Sequence, residues 1–125
     1  MKIEVSNGEI LDKLAILNIK LNKITDKTKL ININNEHQYL LQSCSKLLND
    51  KKIEQLFVQL HHINSELWKI EDDIREKERL KEFDTEFIEL ARKVYMTNDL
   101  RAKVKKEINV TSGSNLVEEK SYEQY

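Results

Sequence analysis

The sequence has no proline and only two glycines in 125 residues. Sandwiches and barrels of β-strands need frequent turns, and turns draw on both residue types, so those folds are excluded. A single cysteine, Cys44, rules out an internal disulfide and a cysteine zinc cluster. Long apolar runs are missing: the longest is Leu14–Leu17, far short of a membrane span. The Met1–Glu4 start lacks the apolar stretch of a signal peptide. A charge excess is missing too, with 21 Lys and Arg against 22 Asp and Glu, so nucleic acid is not an expected partner. The expectation is a soluble, cytoplasmic, all-α chain of one domain. At this length roughly 65% of the unfolded surface is buried on folding, enough for a core without staples.

What is present is helical periodicity. Met1–Val5 alternates apolar and polar residues and reads as a short extended arm or one edge strand. Ser6-Asn7-Gly8-Glu9 then has the form of a capping box, with Ser6 and Glu9 each bonding the other's amide. Ile10, Leu14, Leu17, Leu21 and Ile24 follow at spacings of 4 and 3, and Leu11, Ile16 and Ile19 widen the stripe. This helix, over about 7–25, is expected to be central. Asp26 caps a second helix over about 27–48, whose stripe is Leu30, Ile33, His37, Leu40, Cys44 and Leu47. A third over about 51–82 carries Ile53, Leu56, Leu60, Ile63, Leu67, Ile70 and Ile74 in unbroken heptad spacing. Asp84 caps a fourth over about 85–108, with Phe83 stapled on Ile88. A loop and a tail over about 110–125 complete the chain.

The resulting fold class is an antiparallel helical bundle with a long coiled-coil-like hairpin made by the second and third helices. The third helix outreaches the second, so Leu67–Leu80 must be covered by another helix or another subunit. Ile63, Leu67, Trp68, Ile70 and Ile74 are therefore the candidate interface residues.

Few constellations carry chemistry. His61-His62 points two ways around a helix and cannot share a metal. Cys44 and His37 are two turns apart, about 10 Å, too far for a nucleophile and its base. The carboxylates of Glu71–Glu89 alternate with Lys and Arg, which reads as surface ion pairs rather than a Mg²⁺ site. No metal and no cofactor are expected. Lysine outnumbers arginine 17 to 4, so each arginine is the more informative. Arg101 stands out, because it continues the apolar stripe of the fourth helix with Asn98 and Lys105 beside it. A polar group on such a stripe needs partners, and one reading of the cluster is a salt-bridge network with Asp99, Asp12 or Glu9 that fixes helix register. A site there would combine Arg92, Tyr95, Asn98, Asp99 and Arg101 with the start of the first helix: Ser6, Gly8, Glu9, Asp12 and Lys13. Free amides at that helix start would favour a phosphate or a carboxylate.

The segments Glu4–Leu14, Glu66–Glu71, Phe83–Tyr95, Asn98–Ala102 and Gly113–Tyr122 together resemble a family of small, uncharacterised bacterial helical proteins classed as a domain of unknown function. The resemblance spans nearly the whole chain. It implies a stand-alone helical domain with an ordered tail and names no reaction. Two functions are carried forward. One is a non-enzymatic interaction or oligomerisation module, a homodimer or a binder of another protein. The other is a helical bundle that binds or transforms a small phosphate or carboxylate compound near Arg101.

Overall fold

A computed structural model describes residues 1–125 and contains four helices and no strand. They are α1 (Asn7–Lys23), α2 (Lys27–Leu48), α3 (Lys51–Leu80) and α4 (Thr85–Ser112). Each begins at a side-chain cap. Ser6 Oγ accepts from the Glu9 amide, Asp26 from Lys29, Asp50 from Lys52 and Ile53, and Asp84 from Phe87. These bonds satisfy amides that have no partner within the helix.

Three helices end elsewhere than expected, α3 among them, at Leu80 rather than 82. Helix α1 stops at Lys23, because Ile24 is extended (φ −87°, ψ 133°). Helix α4 runs unbroken through Asn98-Asp99 and on to Ser112. Thr97 is buried, and Asn109, 2% exposed, accepts from the Gly8 amide of α1 at 2.6 Å, which ties the last turns of α4 to the bundle. Met1–Val5 is exposed and pairs with no strand. Phe83 packs edge-to-face on Phe87, with ring centroids 5.2 Å apart, and Ile88 stays exposed, so the staple closes on a different residue.

Helix α1 touches all three others and is the centre of the bundle. Its Leu11 and Leu14 meet Cys44 of α2, Ile53, Leu56 and Leu60 of α3, and Val104 and Ile108 of α4 in one core. Gly8 brings α1 close to α4: a Cβ there would collide with the Lys105 carbonyl oxygen. The most extensive pairing is α3 with α4, and α2 with α3 is the slightest of the major contacts. The long hairpin is therefore α3–α4, not α2–α3. The cover over Leu67–Leu80 comes from α4 of the same chain. Leu67 and Ile70 are buried within the fold, and Ile63, Trp68 and Ile74 are half-buried there.

The turn between α3 and α4 is tied in two ways. Lys81 takes a left-handed conformation (φ 56°), and the Glu82 amide returns to the Lys77 carbonyl at 3.0 Å. The Lys77 ammonium, 16% exposed, meets Glu82, Asp84 and Glu86 at 3.1, 2.9 and 2.8 Å. Those carboxylates, Glu86 first, hold its pKa above the ordinary lysine value. Residues 114–125 have no helix and fold back as a strap along α4.

Candidate functional site

The polar interruption on α4 is built on Asp12, a carboxylate on the inner face of α1 that is 2% exposed. A buried carboxylate needs both charge and hydrogen bonds. Arg101 supplies a bidentate pair, Nε to Oδ1 at 2.9 Å and Nη2 to Oδ2 at 2.5 Å. Asn64 of α3 donates to Oδ1 at 2.8 Å, and Lys105 Nζ lies 3.9 Å from Oδ2. The Asp12 carboxylate, and then nearby Glu9 and Glu118, hold the Arg101 pKa above its ordinary value. Every buried side-chain nitrogen and oxygen in the protein has a partner.

One nitrogen of Arg101 is left lightly used. Its Nη1 makes a 3.4 Å bond to Asn98 Oδ1. Beside it lies a cleft of about 730 Å³ between α4 and the strap. The α4 wall includes Tyr95, Asn98, Asp99, Arg101 and Lys105; the strap contributes Glu118, Lys120, Tyr122, Glu123 and Tyr125. The strap is fastened at both ends. Tyr125 packs on Tyr95 with the rings tilted at 43° and centroids 5.3 Å apart, and donates its hydroxyl to Asp99 at 2.6 Å. That bond holds the Tyr125 phenol above its usual pKa. Towards the other end, Glu119 meets Lys106 at 2.9 Å and Glu118 lies between Lys120 and Lys105.

The expected site residues divide into three groups. Tyr95, Asn98, Asp99 and Arg101 line the cleft, and Asp12 and Glu9 stand behind it, Glu9 on Lys105 Nζ at 2.7 Å. Ser6 and Gly8 serve packing and capping. Lys13 turns to the opposite face and pairs with Glu36 of α2 at 3.0 Å, and Arg92 is exposed and makes no ion pair. The capping box is half made, because Glu9 reaches Lys105 instead of the Ser6 amide. The start of α1 is not a free anion site either. Ser114 Oγ takes the Asn7 amide at 3.0 Å, Asn109 Oδ1 the Gly8 amide at 2.6 Å, and Ser6 Oγ the Glu9 amide at 3.1 Å. The chain's own oxygens occupy the place of a ligand.

Sequence reasoning missed the strap's share of the lining. Glu118-Glu119-Lys120-Ser121-Tyr122 was the available signal, a short charged and aromatic run in an otherwise plain tail. No cluster of three or more His, Cys, Asp or Glu is placed to hold a metal ion. His37 bonds Asn18 at 2.6 Å and His62 pairs with Glu66 on the surface.

A model for a family of unknown function, DUF6165, matches residues 1–125. The chain belongs to that family. No curated protein and no solved structure matches it. For this DUF6165 chain the site must therefore be read from its own residues. No helix is long and apolar enough to cross a membrane.

Proposed function

We propose that the protein is a small-molecule-binding helical bundle whose site is the cleft between α4 and the C-terminal strap. The observation that carries this reading is a cleft of about 730 Å³ that combines three cations, Arg101, Lys105 and Lys120, with three tyrosines. Its size falls within the range of ligand pockets, roughly 300–1,000 Å³. Asp12 fixes the Arg101 side chain at the cleft wall, so it needs no further ordering. The lining contains no histidine or cysteine, and two of its three acids, Asp99 and Glu118, are already bonded within the chain, leaving Glu123 alone, so binding is a better reading than catalysis. The ligand is a phosphate or carboxylate compound, and the setting is the cytoplasm, which suits a chain whose one thiol is free and buried.

A thermal-shift screen against phosphorylated and carboxylated metabolites tests the reading. A ligand present at a hundred times its Kd stabilises by about 2.7 kcal/mol. The expected result is a hit that is lost in Ala102→Phe, which fills the cleft and leaves the Asp12–Arg101 pair intact. A hit retained in that variant, or no hit at all, contradicts the reading.

A second reading, a protein-interaction or self-association module, rests on a different observation. No residue from 71 to 96 is fully buried, and Leu80, Phe83 and Ile88 near the α3–α4 turn are 47%, 55% and 56% exposed. Light scattering tests it: a dimer that becomes a monomer in Phe83→Ser together with Ile88→Ser would favour that module.

A further inference from the structure

The cleft already holds an anion, and that anion belongs to the chain. Glu118 places Oε1 2.8 Å from Lys120 Nζ and Oε2 3.6 Å from Lys105 Nζ. Lys105 is held from below by Glu9 at 2.7 Å and is 13% exposed. Lys120 has no other carboxylate partner. Arg101 belongs to the same lining. Lys120, and next Lys105, keep the Glu118 carboxyl below its ordinary pKa. All of this acts on a residue of a segment, 115–125, that is exposed throughout.

We infer that Lys105 and Lys120, with Arg101 on the same wall of the cleft, form a subsite for one carboxylate or phosphate head, and that Glu118 is an internal occupant which the ligand's head displaces. This rests on the reading that the cleft takes a small molecule, and it adds which part of that molecule is recognised. Beyond the head, the lining is Val94, Tyr95, Tyr122 and Tyr125, apolar and aromatic surface suited to a ring. Asp99 and Glu123 also line the cleft, and a second anionic group would meet their charges. The ligand class is therefore a single anionic group, carboxylate or phosphate, on a ring-bearing body, rather than a di- or tricarboxylate.

Glu118→Gln keeps the shape of the internal occupant and removes its charge. An internal competitor lowers apparent affinity by the fraction of time that the subsite is free. An exposed ion pair of this kind shifts such an equilibrium by a factor of about five. The experiment titrates ¹⁵N-labelled full-length protein with inorganic phosphate and, separately, with phenylacetate, which carries one head and one ring. The amides of Ala102, Lys105 and Lys120 report binding. The expected result is saturable shifts at those amides, with Glu118→Gln binding both probes about five-fold more tightly than the unaltered protein. Glu119→Gln, which loosens the strap outside the subsite by removing the Lys106 pair, is expected to leave both affinities unchanged. Equal tightening in Glu119→Gln would mean that strap release alone matters, and would overturn the subsite. So would unchanged affinity in Glu118→Gln, or no shift at these amides with either probe in either protein. A cleft-dependent hit in the metabolite screen alongside any of those results would retain the binding reading and discard the subsite.

Discussion

Arg101 was legible as an anomaly, a cation on an apolar stripe, and the structure supplies its reason in Asp12. The pair is a buried carboxylate facing a guanidinium whose side chain is 28% exposed. Removing one partner of such a pair leaves an uncompensated charge and costs about 3 kcal/mol. Arg101→Ala is expected to lower the urea-unfolding free energy by about that amount, whereas Arg79→Ala, on an exposed pair with Glu76, should produce no measurable change. Equal effects in the two variants would return Arg101 to the solvent. Cys44 is a second residue-scale case. Burial pushes its thiol pKa up from 9.0 to about 11. Iodoacetamide at pH 8.5 should label the native thiol far more slowly than the urea-unfolded one, since the thiolate is the nucleophile. Because the folded pKa is the raised one, the associated stability is present below pH 9 and is lost as pH rises towards 11. Comparable labelling rates in the two states would place Cys44 at the surface.

Helices were legible from caps and spacing where both agreed. Helix α2 runs over the expected residues, between Asp26 and Asn49. Helix α4 outran its expected end because Asn109, an ordinary loop residue in isolation, is held by the Gly8 amide of α1. That bond spans the length of the chain, and no local pattern announces it. The strap's position was illegible for a related reason. Its contacts are exposed ion pairs and one packed tyrosine, with no apolar periodicity behind them. Backbone strain gives an element-scale prediction. Lys81 ends α3 at φ 56° and Gly113 ends α4 at φ 65°, both in left-handed caps. A side chain in that conformation costs about 1 kcal/mol. Lys81→Gly should raise stability by roughly 1 kcal/mol and Gly113→Ala lower it by as much. Thermal melts of the two variants check this, and shifts of the same sign would contradict it.

At the scale of the molecule, the heptad of α3 was read correctly as a buried seam, but its partner was misassigned. Sequence adjacency favoured α2, whereas α4, returning through the Lys77 clasp, supplies the long contact. Spacing shows that a face is buried and does not say which helix buries it. The homodimer expectation drew much of its force from that unassigned cover. With Ile70 8% exposed inside one chain, Ile70→Asp places an unpartnered carboxylate in the fold. The variant is expected to lose its cooperative melt. If it kept that melt and changed only its mass by light scattering, the seam would lie between subunits.

The proposed functional surface is the cleft between α4 and the strap. The most direct measurement is a map of backbone amide shifts on adding the strongest hit of the metabolite screen to ¹⁵N-labelled protein. Saturable changes concentrated at residues 95–105 and 118–125 are predicted, with the α3–α4 turn at 78–88 unmoved. Changes centred on that turn, or spread without reference to the cleft, would contradict the account.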